Sequence, residues 1–346
     1  MCTNRSLFPD KSFNMTVQKA YKLLLLISLI SFFSCEKEEI EITDYDIVSM
    51  IEKRKSVTPY FQNCSLPDSV DTLRILAIGN SYTDDGTAYI QEIMDGLDVN
   101  PNKYCVYSLV HSAATLKYWW AEMEGNAFCI PNRVAGNIKM DLGDSTLCSV
   151  IYQPWDVIVV QQYSGDAIYY DSFNPYLRQI IEFVRHYCSN PQVALAWQMV
   201  HSYKSGFAAL YSDSMKRWRM LAFATAQMMV YDGIDIIIPT GTAIQNARNT
   251  ALNNPSELTR DGTHLGYGVA RYIAACTWVQ TLMARVFGTD IQKSKQLHPL
   301  KEYEKDENQT QNGFIKDSSQ PVNEQNQSVC VECAYRACQS PFEIYE

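Results

Sequence analysis

Ser81, Asp261 and His264 are the residues of this chain whose types and order could carry out nucleophilic acyl transfer. A serine hydroxyl is a weak nucleophile until an imidazole takes its proton. The imidazole in turn needs a carboxylate to fix its tautomer and to stabilise its charged form. Asp261 and His264 are close enough in sequence to meet within one turn, and the order Ser, Asp, His is usable because such a triad is defined by geometry and not by position. Each residue taken singly also has an ordinary explanation: Ser81 as a helix N-cap, Asp261 as the start of a loop turn.

The segments that hold them add context. Residues 73–85 read LRILAIGNSYTDD, an apolar run of strand length that ends in Gly79 and Asn80 and presents Ser81 at a turn before a helical stretch. The carboxyl ends of parallel strands face the binding crevice, and a helix N-terminus favours developing negative charge. Residues 259–265, TRDGTHL, lie between a polar loop and a last long helix starting near Gly266.

Apolar runs recur at Leu73–Ile78, Cys105–Val110, Val157–Val160, Val193–Trp197 and Ile234–Ile238. Between them lie helically spaced segments at Thr87–Leu97, Asn174–Tyr187, Ala209–Tyr231 and Gly268–Phe287. Strands apolar on both faces that alternate with helices imply a parallel sheet covered on both sides. The expected fold class is α/β, a three-layer sandwich with a central parallel sheet of about five strands, spanning residues 71–289.

Gly-Asn-Ser after the opening strand and Asp-Gly-Thr-His before the last long helix together resemble the first and last motif blocks of the SGNH/GDSL serine hydrolases. The likeness is to a branch whose members begin with an IGNS segment. Trp155–Gln162 (WDVIVVQQ), Ile238–Arg248 (IPTGTAIQNAR) and Thr259–Leu265 extend it over residues 73–285. The resemblance implies Ser81 as nucleophile, His264 as base, Asp261 as its partner, no cofactor, and hydrolysis of esters, often acetyl groups on carbohydrates. Two blocks depart from the family pattern. Where the second block supplies a Gly whose N–H helps hold the oxyanion, this chain reads Val110, His111, Ser112, Ala113, Ala114. Where the third block ends in an Asn donor, it reads Gln161, Gln162, Tyr163, Ser164. The expected oxyanion hole is therefore Ser81, Ala113 and Gln162, with Ser164 as the alternative third donor. An equal reading has Gln161 and Gln162 satisfying buried backbone at the strand end. Ser112, Ser164, Tyr163 and Trp119 are the expected substrate contacts, and the aromatics near strand ends fit a sugar platform as well as a core.

Lys19 and Lys22 precede the apolar stretch Leu23–Ile30, with Cys35 shortly after it. The stretch is too short to span a bilayer, which takes ~20 residues. Residues 1–34 read as a secretory signal, of normal length if translation starts at Met15. Cys35 resembles the lipidated cysteine of a bacterial lipobox, with Phe32 where Leu is usual. Glu36, Lys37, Glu38 and Glu39 resemble the acidic tag of surface-exposed Gram-negative lipoproteins. The expectation is a lipid-anchored protein of the cell envelope, on the outer membrane and surface-exposed. Residues 35–70 are expected to be a tether with one short helix, 290–327 a polar loop, and 328–346 a C-terminal helix on the domain.

A formal charge of −9 excludes nucleic acid as a partner. No metal is expected: the five histidines are scattered, and Cys330, Cys333 and Cys338 supply three thiols where structural zinc wants four. Helix packing accounts for those cysteines, and Asp84 and Asp85 suit a first helical turn. His111 and His201 read as pocket or core-edge residues. The expected function is an esterase removing acyl groups, foremost acetyl, from an acylated glycan or other small ester. The alternatives are a non-catalytic glycan-binding lipoprotein on the same fold, or a lipase or thioesterase.

Overall fold

A computed structural model describes residues 39–62, 65–68, 70–253, 257–294 and 320–345. The expected signal segment, Cys35 and most of the 290–327 stretch lie outside the described residues. Six strands form the sheet: β1 Leu73–Gly79, β2 Tyr104–Val110, β3 Asn132–Gly136, β4 Val157–Val160, β5 Ala194–Gln198 and β6 Ile236–Ile238. Their order is β3-β2-β1-β4-β5-β6, parallel except for β3, which runs antiparallel to β2. The connections from β1 lead outward to β2 and those from β4 lead outward to β5, so the chain changes direction between β1 and β4. The crevice beyond the carboxyl ends of these two strands is where such sheets place their ligands.

Ten α-helices flank the sheet among the described residues: α1 Asp44–Lys53, α2 Ser81–Thr87, α3 Ile90–Gly96, α4 Leu116–Glu124, α5 Leu147–Tyr152, α6 Tyr176–Tyr187, α7 Ser214–Tyr231, α8 Thr240–Arg248, α9 Val269–Trp278 and α10 Gln327–Gln339. Alternation along β1 divides the interior in two. Leu73, Ile75 and Ala77 pack with α3, α8, α9 and α10, whereas Leu76 and Ile78 pack with α4, α5, α6 and α7. The result is the three-layer α/β sandwich that the sequence pattern predicts. Trp155, Trp197, Trp218 and Trp278 are fully buried, and each large apolar side chain removed from water contributes about 1.5–3 kcal/mol.

Two features add to the expectation. Beside the five expected strands the sheet gains a sixth at its edge, β3, which reads NRVAG with its first two residues exposed, so no apolar run marks it in the sequence. Residues 44–62 also do more than tether. Thr43 and Asp46 close a capping box at the start of α1, and Ile47 and Met50 are buried. The ion pairs Arg54–Asp235 (3.0 Å) and Arg219–Asp44 (2.8 Å) join the helix to the body. At the other end, α10 buries Cys330, Cys333, Ala334 and Ala337 against α8 and α9.

Candidate active site

Ser81 opens α2 directly after β1. Gly79 is needed at the strand end because an added Cβ would lie 2.2 Å from Thr83 Oγ1 and 2.8 Å from Gln161 Cγ. Asn80, the N-cap, is buried and makes three side-chain hydrogen bonds: its Oδ1 accepts from the Tyr82 N–H (3.1 Å) and from Gln161 Nε2 (2.6 Å), and its Nδ2 donates to the Ala114 carbonyl (3.0 Å). One side chain thus ties the serine turn to the ends of β2 and β4.

Ser81 Oγ lies 2.8 Å from His264 Nε2, and His264 Nδ1 lies 2.6 Å from Asp261 Oδ2. With a carboxylate beside Nδ1, the network assigns the proton to Nδ1, leaving Nε2 bare to accept from the serine hydroxyl. Asp261 Oδ1 accepts three further bonds, from the Thr263 N–H (2.9 Å), the Thr263 hydroxyl (2.9 Å) and the His264 N–H (2.8 Å). Burial pushes the Asp261 carboxyl up, but the hydrogen bonds from the His264 side chain and from the His264 and Thr263 amides outweigh it and hold the group well below the usual carboxylate range. It is ionised wherever the protein is folded near neutrality.

The loop carrying this pair is pinned from several directions. The Thr263 carbonyl accepts from the Tyr82 hydroxyl (2.8 Å) and from His201 Nε2 (2.6 Å), and the Tyr82 and His201 rings stack with centroids 4.3 Å apart. Burial, reinforced by the nearby Arg248 charge, pushes the His201 imidazole down to about 3; it is therefore a neutral donor here. Burial raises the Tyr82 phenol well above its ordinary value, so it too donates. Asp85, on α2, accepts from Arg260 Nη1 (2.9 Å), Arg271 Nε (2.8 Å) and the Leu265 N–H (2.9 Å). His201 reads in the sequence as a pocket or core-edge residue and takes the core-edge place here, whereas none of Tyr82, Asp85, Arg260 or Arg271 stands out in the sequence as part of the site. Arg260 is adjacent to Asp261, which was the one available signal.

On the opposite side, His111–Ala114 form a turn closed by the Ala114 N–H donating to the His111 carbonyl (3.1 Å), with Ala113 at φ +53°. That is the left-handed region where glycine is favoured, and here an alanine occupies it. Among the described residues no acceptor is seated on the Ser81 or Ala113 N–H. Ser112 is exposed on the same turn, and the His111 ring stacks on Tyr118 at 4.4 Å.

The remaining expected site residues take other roles. Gln162 is not a free donor: its Nε2 is held by the Ser172 carbonyl (3.0 Å) and hydroxyl (3.1 Å), and its Oε1 accepts from the Leu116 (3.0 Å) and Tyr163 (2.9 Å) amides. It satisfies the start of α4 and the 170s turn, as the strand-end reading had it. Trp119 is buried and donates its indole N–H to the Gly79 carbonyl (3.1 Å), so it supports the turn from beneath. Ser164 is buried with its hydroxyl 3.1 Å from that of Tyr203, and the half-buried Tyr163 ring packs beside Gly165. Among the described residues no group of three or more His, Cys, Asp or Glu side chains could hold a metal ion.

The molecule is thus a three-layer α/β sandwich with a serine, a histidine and an aspartate in a hydrogen-bonded line at the carboxyl ends of its strands. The chain belongs to the DUF4886 family, described as a domain of unknown function, whose profile matches residues 74–314. Among solved structures it is similar to a DUF4886 family protein from Bacteroides uniformis ATCC 8492, at 23% identity and a TM-score of 0.64, covering 80% of this chain and 98% of that one. It also aligns to an extracellular lipase from Streptomyces rimosus at 11% identity and a TM-score of 0.25, over 46% of this chain and 74% of that one. A comparison with curated proteins finds no match.

Proposed function

We propose that this protein is a serine hydrolase of the SGNH/GDSL type that removes acyl groups, foremost acetyl, from a carbohydrate at the bacterial cell envelope. The observation that carries the reading is the continuous relay from Ser81 Oγ through His264 to Asp261, at 2.8 and 2.6 Å. Ser81 Oγ attacks the ester carbonyl carbon while its proton passes to His264 Nε2, and Asp261 stabilises the resulting imidazolium. The Ser81 and Ala113 N–H groups, with the N-terminal end of α2 behind them, receive the oxyanion. Collapse of the tetrahedral adduct breaks the bond to the sugar oxygen, which takes the proton back from His264. Water then attacks the acyl-enzyme, giving its proton to His264 and releasing the carboxylic acid as Ser81 is restored. No cofactor enters these steps.

The glycan substrate rests on the family resemblance, and the envelope location on the basic-apolar-Cys35 pattern. In this reading Cys35 carries the lipid and Cys35→Ser releases the protein from membranes. The chemistry is tested with p-nitrophenyl acetate and acetylated xylan. Turnover of both by wild type and its loss in folded Ser81→Ala is the expected result; undiminished hydrolysis in Ser81→Ala eliminates the serine mechanism.

A further inference from the structure

We propose that Asp85 is a positioning residue that sets the distance between Ser81 and His264, an inference that rests on the serine hydrolase reading. Asp85 lies on α2 four residues beyond Ser81, about one helical turn, and is completely buried. A carboxylate taken out of water is tolerated only when paired and hydrogen-bonded, and here the pairing is unusually directed. Oδ1 accepts from Arg260 Nη1 at 2.9 Å and from Arg271 Nε and Nη2 at 2.8 and 2.6 Å. Oδ2 accepts from the Leu265 N–H at 2.9 Å.

Arg260 immediately precedes Asp261, and Leu265 immediately follows His264. One carboxylate on the nucleophile's own helix therefore grips the base-bearing segment at both ends. The segment is itself drawn into a ring, because the Arg260 N–H donates to the His264 carbonyl (2.9 Å) and the Arg260 guanidinium caps the Leu265 carbonyl. Arg271 comes from α9 and adds a second guanidinium to the same carboxylate from outside the segment. Asp85 touches none of the reacting atoms. Its lever is geometric: a misplacement on the order of 1 Å in a reacting pair can lower turnover ~10²-fold.

The test compares Asp85→Asn and Asp85→Glu with Asp232→Asn in the full chain, using p-nitrophenyl acetate and recording melting temperature alongside. Asp232 is as completely buried as Asp85 but holds Arg178, Tyr170 and Asn174 and none of Ser81, Asp261 or His264. Both Asp85 variants are expected to lose ~10²-fold in kcat with KM changed less than about twofold. Asp232→Asn is expected to melt earlier and keep its kcat. If Asp85→Asn does not fold, Asp85→Glu carries the test, because it keeps the charge and both arginines and changes only the arm by one methylene. Folded Asp85 variants with wild-type kcat would overturn the proposal, as would an equal loss of kcat in Asp232→Asn. Ser81→Ala in the same assay separates the two claims, since its full activity would sink the serine reading alone. In that event a crystal structure of Asp85→Glu decides: a Ser81 Oγ to His264 Nε2 separation opened beyond ~3.5 Å supports the clamp, and an unchanged 2.8 Å refutes it.

Discussion

The two walls of the site are built on different physics. The Asp261–His264 wall is held by charge: a buried carboxylate between two guanidinium groups, an ionised Asp261 taking four hydrogen bonds, and a neutral buried His201 behind them. The His111–Ala114 wall is held by neutral amides, with Asn80, Gln161 and Gln162 passing bonds between the ends of β1, β2 and β4 beneath an exposed turn. The contrast follows from what each wall would do in the proposed mechanism. A proton relay fails when one distance drifts, so its wall is fixed by the strongest and least adaptable contacts available. Two N–H donors on a turn need only their direction preserved.

Breaking the charged wall at its centre has the largest expected effect. His264→Ala should lower kcat by 10⁴-fold or more, on the order seen when one member of a catalytic unit is lost, and Ser81→Ala/His264→Ala should be scarcely worse than either single variant. A double variant whose losses multiply would mean that the two side chains act separately.

The neutral wall is sharpened by two neighbouring substitutions. Gln161→Leu frees Asn80 and should lower kcat roughly tenfold, whereas Gln162→Leu strips partners from the Leu116 amide and the Ser172 carbonyl. That should lower stability by about 1–3 kcal/mol with little change in kcat per folded molecule. Turnover and melting temperature measured on both variants decide whether the geometry has been assigned to the right glutamine.

The pH dependence of stability probes the charged wall from behind. The folded-state value of His201 is pushed down to about 3 against an ordinary 6.5. The stability it contributes is therefore complete above about pH 6.5 and is lost as pH falls toward 3, at up to ~1.4 kcal/mol per pH unit. His201→Gln keeps a donor for the Thr263 carbonyl and removes the titration, so its melting temperature should fall less steeply on acidification than that of wild type. Parallel curves would show that His201 is not the group responsible.

Ala113→Gly is the mildest case. Relief of a left-handed alanine gives ~1–2 kcal/mol, offset by ~0.4–1 kcal/mol of added freedom in the unfolded chain. The melting temperature should rise by no more than about 2 °C and kcat should stay within about twofold of wild type. A large fall in kcat would show that the alanine methyl itself matters.

Much of this was legible in the residues. Five strands are visible as largely apolar runs, and Ser81, Asp261 and His264 lie in segments whose flanks give them context. The choice between Gln161 and Gln162 was not legible, because successive side chains at a strand end point to opposite faces and the sequence does not say which face carries the serine turn. Here Gln161 faces Asn80, and Gln162 turns to α4 and the 170s turn. Asp85 was hidden for a related reason: an acid early in a helix reads as a favourable surface charge, and only the arrival of Arg260 and Arg271 from distant sequence makes it a buried anchor. The sequence does not separate Trp119 as a substrate contact from Trp119 as a buried support, because strand-end aromatics do either job.

The antiparallel strand β3 has a consequence for solubility. A sheet ends in rows of unpaired backbone donors and acceptors that invite another chain to add on, and proteins blunt such borders with short, bulged or charged strands. β3 is five residues long, begins with exposed Asn132 and Arg133, and meets β2 across a register shift between Val106 and Tyr107. At the opposite border β6 is only three residues long. Neither border offers a long flat template, so the apolar strands at the centre of the sheet are shielded from aggregation by the two least hydrophobic or shortest ones.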